Sequence, residues 1–576
     1  MENAYKNLKY FKKEMILGPL FKMLEVAFEI ATPFLMAFVI DEGINDAIDK
    51  GDYLGIIIPS IMIFAFIILG FCSTLVCQYF ASIASQGYGT KLRDELYKKI
   101  MGLSSKNINK LGKSNLNTVI TSDVNRLQVS VAMMVRLVLR APALVIGSLI
   151  CSFIIKWQIG LIFLGVVSLI GLFLLFIIVV SSKRIKIAQE KTDELVGFTS
   201  ESLNGIRVIK AFNKTKEIDY KFSEKSNDYL KEMKKVNFLN SLTNPVTFLI
   251  INAAILLIIY LGSKWINPNV NELSTGDLTS LIQYLNQIFL ALVVVTNLIV
   301  IFTRAFASKS RVEKVLNTQS ELTDGSKEEI EKSEDLEKII EFRKVFYGYH
   351  KNSYALKDIN LTINKGEKVG IIGVTGSGKS TLIKLINRTY DASEGEVILY
   401  GTNVKDLTLN CVRNEVSMVS QKNALLDGTI KSNLLIGKKD ATEEEINKAL
   451  LMACAQEFIS KYDDGIDHKV SEGGKNLSGG QKQRVCIARG LIKNSDILVF
   501  DDSFSALDNM TERKVLTNIC LDNDKTVIIV AQKITTLRFC NRIILIDNGC
   551  IIADGSHEEL MKHDIYKEIF NSQNEE

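Results

Sequence analysis

At 576 residues the chain is too long for one compact domain, and its long apolar stretches all lie before residue 305. A net charge of +4 is too small to argue for a nucleic-acid partner. Nine cysteines without a Cys-x-x-Cys pair read as free thiols rather than as a disulfide or metal framework.

In chain order, apolar runs of membrane-spanning length fall at 16–40, 56–81, 129–155, 158–181, 246–263 and 278–303. Each reaches about the 20 residues that a bilayer requires. Lys6, Lys9, Lys12 and Lys13 precede the first run. That run contains Lys22, Glu25 and Glu29, and no small-residue cleavage site follows, so it reads as a span rather than a removable leader. The connection after it is acidic (Asp41, Glu42, Asp46, Asp49), whereas the long connections 83–128 and 182–243 are polar and Lys-rich. This asymmetry predicts a multi-pass protein of the cytoplasmic membrane, with the N-terminus, both long loops and the C-terminal half in the cytoplasm. The long loops look helical and amphipathic, extending the membrane helices inward. Trp157 and Trp265 fall at the expected outer edges, where aromatic residues favour the interface.

Charges inside the spans are costly unless paired or wet. Glu25 and Glu29 are four apart and share a helix face, and Arg136 and Arg140 repeat that spacing. The two pairs sit at similar depth, either walling a substrate path, forming an interhelical ion-pair ladder, or lying in helix ends already outside the lipid. Gln283, Asn286, Gln287 and Asn297 in the sixth run allow two readings, a cavity or interhelical hydrogen bonds. A Ser-, Glu- and Lys-rich linker at 306–338 separates this transmembrane domain, 1–305, from residues 339–576.

The C-terminal part alternates like an α/β protein. Strands are expected at Ile339–Val345, Leu356–Ile363 and Val369–Ile372, the last leading into Gly373-Val-Thr-Gly-Ser-Gly-Lys-Ser380 and a helix from Lys379. Strand, glycine-rich loop and helix are the context of a phosphate-binding P-loop. Gly373, Gly376 and Gly378 let the backbone N–H groups of the loop, with Thr375, Ser377 and Thr381 beside them, turn toward phosphate oxygens. Lys379 supplies charge for the β- and γ-phosphates, and Ser380 a hydroxyl for Mg²⁺. Ile497-Leu-Val-Phe-Asp501 is an apolar strand ending on a carboxylate suited to Mg²⁺. Gln421 follows the strand Glu415–Ser420, and Tyr349 is placed to stack on adenine.

Together with Leu477-Ser-Gly-Gly-Gln481 and Ser505-Ala-Leu-Asp508, these motifs resemble the ATP-binding cassette (ABC) exporter family over nearly the whole chain. The resemblance implies a six-helix transmembrane domain fused to a P-loop ATPase cassette, with ATP and Mg²⁺ as cofactors. Ser478, Gly479, Gly480 and Gln481 match the signature loop, Asp508 the D-loop and Gln421 the glutamine that reaches Mg²⁺. Glu472 resembles the exporter X-loop, and Glu201–Phe212 the second intracellular segment. Coupling helices are implied near Lys113–Asn117 and Asn213–Phe222. Two cassettes are expected head to tail, each ATP lying between one P-loop and the other chain's signature loop.

Two positions depart from the family. Asp502 stands where the family has the Glu that activates water, and Gln532 where it has the switch His. Aspartate reaches roughly 1.3 Å less, and a 1 Å misplacement costs on the order of 10²-fold. Glutamine cannot become cationic. The expectation is a heterodimer. This chain's own loop holds ATP in a weakly hydrolytic site, and its intact signature loop completes the site of a partner half-transporter that retains Glu and His. Drugs, lipids and peptides are equally open as amphipathic substrates. The alternatives are a slow homodimeric exporter and a protein that uses ATP binding as a channel, regulator or sensor.

Overall fold

The computed structural model describes residues 3–574 apart from 45–46, 49–50, 52, 267–272, 333–335, 351–352 and 423, so Asp46 and Asp49 lie outside the described residues. The chain divides into two compact units, Met1–Met101 with Leu111–Thr318, and Gly102–Lys110 with Gln319–Glu576.

Among the described residues of the first unit, six helices are long and apolar enough to cross a membrane: Ala4–Gly43, Leu54–Met101, Lys113–Ile155, Trp157–Asn204, Thr215–Trp265 and Thr275–Leu316. Each contains one of the expected apolar runs, and the polar loops continue the helices. The sixth helix runs on to Leu316, so residues 306–316 of the expected linker are helical. The short helices in the two long connections are Ser105–Leu111 and Ile206–Ala211. Of the segments where the resemblance placed coupling helices, Lys113–Asn117 begins the third long helix, and Asn213–Phe222 spans the break at Asn213 and the first turns of the fifth, which starts at Thr215. Left-handed backbone at Gly112 (φ 81°) and Asn213 (φ 53°) breaks the chain between short and long helix.

The first helix contains Pro33, which has no N–H to give to the carbonyl of Glu29 four residues earlier. Gln287 of the sixth helix supplies the missing donor, its Nε2 lying 3.0 Å from Glu29 O. One turn away, the Tyr284 hydroxyl donates to Ile30 O at 2.9 Å. Gln287 also accepts from Ser148 Oγ at 3.3 Å, so it joins three helices. This polar side chain is therefore spent on interhelical bonds.

Two π-helical turns, Val39–Gly43 and Val119–Asp123, each present an acid to the sixth helix. Asp41 accepts from Gly276 N (2.8 Å) and from the hydroxyls of Ser274 and Thr275 at the helix start. Asp123, fully buried, accepts from Ser308 Oγ (2.9 Å) and Arg311 Nε (2.7 Å) near its end. Arg311 is 41 % exposed and can rehydrate, so losing Asp123 costs less than breaking a fully buried pair. We expect Asp123→Ala to destabilise the protein by about 2 kcal/mol, read as a fall of the thermal midpoint in detergent. An unchanged midpoint would contradict this account.

In the second unit, strands rich in Val and Ile form a six-stranded sheet in the order Cys550–Gly555, Arg542–Asp547, Lys368–Ile372, Thr526–Val530, Ile497–Asp501, Val416–Val419. All pairs are parallel except the first. The three central strands are buried throughout, as both-face burial of a parallel sheet demands. A four-stranded antiparallel sheet, Ser353–Asn364, Lys338–His350, Glu394–Leu399 and Thr402–Asn403, packs with the helix Lys379–Ile386 in one core. A second core gathers the helices Ile430–Leu434, Glu443–Met452 and Gly479–Leu491. Four parallel strands end on Ile372, Val419, Asp501 and Val530, so the loops after them emerge at one edge.

Candidate functional site

At that edge the glycine-rich loop follows Ile372. Gly373 (φ 154°) is irreplaceable, because a Cβ there would lie 2.0 Å from Ile546 O. Gly376 and Gly378 also hold positive φ, at 86° and 110°. Thr375 and Gly376 are exposed at the tip, while Ser377 is buried and its Oγ has no hydrogen-bond partner. Lys379 Nζ folds back over the loop, donating to Gly373 O (2.7 Å) and Val374 O (2.9 Å). The lysine thus satisfies itself on the carbonyls of the concavity that a phosphate would enter. Burial lowers its ammonium below the usual lysine range.

Ser380 Oγ donates to Asp501 Oδ1 at 2.8 Å, bringing together the two residues expected to serve a metal ion. Burial pushes the Asp501 carboxyl above the usual carboxylate range, and the Ser380 bond only partly offsets it. A buried carboxylate beside a hydroxyl, at the end of a loop of N–H donors, suits a hard divalent cation such as Mg²⁺. Thr381, the next residue, shares a hydrogen bond with the Tyr349 hydroxyl at 3.0 Å. Tyr349 is partly exposed and meets Tyr347 and Tyr390 edge to face.

Asp502 holds left-handed backbone (φ 48°), a conformation that Asp tolerates better than most residues. Its N–H donates to Val530 O, and its Oδ2 accepts from Gln421 Nε2 at 3.1 Å. Gln532 follows Val530 by two, and its carbonyl accepts from Gln573 Nε2 at 2.7 Å. Asp502, Ser505, Gln532, Lys533 and Glu512 line a cavity of about 90 Å³. Ser478 and Gln481 close a reciprocal cap on the helix Gly479–Leu491. Ser478 Oγ accepts from Gln481 N (3.3 Å), and Gln481 Oε1 from Ser478 N (2.8 Å). Gly479 and Gly480 form that helix's first turn, with N–H groups free of intrahelical duty. Asp508 caps the helix Asn509–Cys520 through Thr511 N (2.9 Å), and hydrogen bonds from the Thr511 side chain first, then its N–H, hold the Asp508 carboxyl below the usual range.

Both halves match known families. The ABC transporter transmembrane region matches residues 15–309, and the ABC transporter domain matches 356–505. The chain is an ABC transporter. An uncharacterised ABC transporter ATP-binding protein of Bacillus subtilis, YfiB, is 33% identical over 100% of this chain and 98% of its own length. The ATP-dependent lipid A-core flippase of Haemophilus influenzae is 28% identical over 99% of this chain and 98% of its own. A solved structure of a bacterial Atm1-family ABC exporter with ATP bound superposes with a TM-score of 0.81 at 22% identity, covering 98% of both chains, and shows the shared fold. The chain is thus an exporter-type half-transporter with an ATPase cassette, and a membrane protein.

In this ABC transporter the membrane charges resolve unequally. Arg140 Nη2 bonds both oxygens of Glu29 (3.0 and 3.2 Å), and its Nε lies 3.6 Å from Glu25. Glu25 also pairs with Lys22. These contacts link the first and third helices by ion pairs, as expected for the ladder among the readings open from the sequence. Arg136 does not join it. The third helix is interrupted at 137–139, between Val124–Arg136 and Arg140–Ile155, so the two arginines do not share one helix face. Arg136 donates instead to Ser82 Oγ at 3.2 Å. Apolar periodicity carries no signal for such a break.

Glu512 was not singled out by the sequence. It is buried, accepts from the Thr536 hydroxyl and lies 3.9 Å from Lys533. An acid four residues after the Asp508 cap, on the inward face of an otherwise amphipathic helix, was the available signal.

Proposed function

We propose that this chain is one subunit of an ATP-driven exporter that moves amphipathic molecules (drugs, lipids or peptides) out across the cytoplasmic membrane, with its N-terminus and cassette in the cytoplasm. The relationship to a lipid A-core flippase supports the amphipathic class. Gly373–Thr381 would hold the ATP phosphates and Tyr349 its base, and Ser380 and Asp501, with Gln421, would serve Mg²⁺. Binding of ATP closes two cassettes on each other, and hydrolysis resets them.

The two sites of the assembled transporter are unequal on this reading. The observation that carries it is the Asp502–Gln421 bond: the carboxylate in the position of the water-activating group is one methylene short and already accepts a side-chain amide. A general base must come within about 3.2 Å of its proton. Gln532 adds no positive charge toward a γ-phosphate. Hydrolysis then falls mainly to a partner half-transporter with Glu and His in these positions, whose site is completed by Ser478, Gly479 and Gly480 of this chain. Median turnover for enzymes is about 10 s⁻¹. A loss of about 10²-fold through misplacement leaves the purified chain, without a partner, near 0.1 s⁻¹. A turnover of several per second that Asp502→Asn abolishes would refute the unequal pair. Transport into vesicles by the purified pair, dependent on hydrolysis, separates an exporter from an ATP-gated channel or sensor.

A further inference from the structure

Arg388 is the bulkiest of the fully buried side chains among the described residues, 1% exposed, and lies just past the helix Lys379–Ile386 that follows the glycine-rich loop. A guanidinium in the interior is costly unless its donors are satisfied, and apolar residues of similar size often serve stability as well. Here three separate segments accept from it. Nε donates to Asp391 Oδ1 (2.9 Å), Nη1 to Leu407 O (2.7 Å) and Nη2 to Thr323 O (2.7 Å).

Each acceptor leads somewhere. Asp391 follows Tyr390, whose ring stacks on Tyr347 at 5.3 Å and meets Tyr349 edge to face at 5.6 Å. Leu407 bridges to Lys327, and Gly325 N donates to Leu407 O at 3.2 Å, so the segment around Thr323 is fixed from two sides. Just upstream, that segment is held by Asn107. Asn107 Oδ1 accepts from Glu321 N (3.1 Å) and its Nδ2 donates to Gln319 O (3.3 Å). Lys106 adds an ion pair to Glu321 at 2.9 Å. A cavity of about 140 Å³, lined by Lys106, Glu321, Tyr347, Tyr390 and Asp391, lies along this path.

We propose that Arg388 is a positioning residue that ties the aromatic platform at Tyr349 to the segment Gly102–Lys110, so that seating a base on Tyr349 and holding Asn107 in place reinforce each other. Arg388 does not touch the nucleotide. It fixes Asp391 and the main chain at 323 and 407 simultaneously, a task for a planar fork of five donors that a lysine ammonium cannot reproduce. The proposal rests on the reading of Gly373–Thr381 and Tyr349 as a nucleotide site.

The test uses the full-length chain in detergent with Mg²⁺. Binding of ATP is compared with binding of inorganic tripolyphosphate, which has phosphates but no base. Arg388→Lys and Asn107→Ala should each weaken ATP binding about fivefold or more, while tripolyphosphate binding stays within about twofold. The double variant should lose less than the product of the two. Equal weakening of both ligands by Arg388→Lys would mean general damage to the cassette and overturn the proposal. So would Asn107→Ala with unchanged ATP affinity, and that variant decides alone if Arg388→Lys does not fold. Lys379→Ala should lose both ligands. A wild-type chain that binds neither ligand overturns the nucleotide-site reading itself, an outcome distinct from a base-independent effect of Arg388→Lys.

Discussion

ATP turnover by the assembled transporter should fall about 10²-fold on Ser478→Ala, although the change leaves this chain's own glycine-rich loop intact. On the proposed reading Ser478 faces the γ-phosphate held by the partner, where its hydroxyl donates to charge that grows in the transition state. Deleting one such donor typically costs about 10²–10³-fold. Ser478 is also an N-cap, accepting from Gln481 N at 3.3 Å, and losing that cap costs about 1 kcal/mol of stability. Ser478→Asp separates the two roles. It keeps the cap but puts a negative charge against the phosphate, so turnover should fall at least as far while the helix stays capped. The measurement is steady-state ATPase of the co-purified pair, with thermal midpoints recorded for each variant. A loss below threefold for both variants would remove the signature loop from catalysis.

The reverse experiment should produce a gain. Asp502→Glu with Gln532→His is expected to raise turnover of this chain on its own by about 10²-fold. Glutamate restores the missing methylene, and histidine restores a group able to carry positive charge. Position 502 keeps left-handed backbone, so glutamate costs about 1 kcal/mol there. The longer side chain must also compete with the existing Gln421 contact at 3.1 Å. Either single substitution should give much less than the pair, because each leaves one half of the machinery missing. A double variant that binds ATP as before and gains less than threefold would mean that the weakness of this site lies outside positions 502 and 532.

The sequence alone located the six membrane helices, because apolar runs of about 20 residues have no other stable home. It also located the strands that end on Ile372, Val419 and Asp501, because both-face burial in a parallel sheet favours short, largely apolar segments rich in Val and Ile. The loop Gly373–Ser380, the strand ending at Asp501 and the loop Leu477–Gln481 were legible for a related reason: phosphate chemistry restricts both residue type and spacing.

What the tertiary structure decided concerns partners far apart in the chain. Glu25 and Glu29 share Arg140, while Arg136 turns to Ser82 because the helix breaks at 137–139. Gln287 fills the gap left by Pro33, five helices earlier in the chain, and no local pattern predicts that match. Gly102–Lys110 belongs with the cassette unit although the chain runs through it between two membrane helices. Arg388 reads in the sequence as an ordinary basic residue, and only the fold shows it buried with acceptors at 323, 391 and 407. Periodicity and motif spacing report what each segment must bury or bind. Which distant group satisfies a buried donor depends on packing, and that is set only when the whole chain has folded.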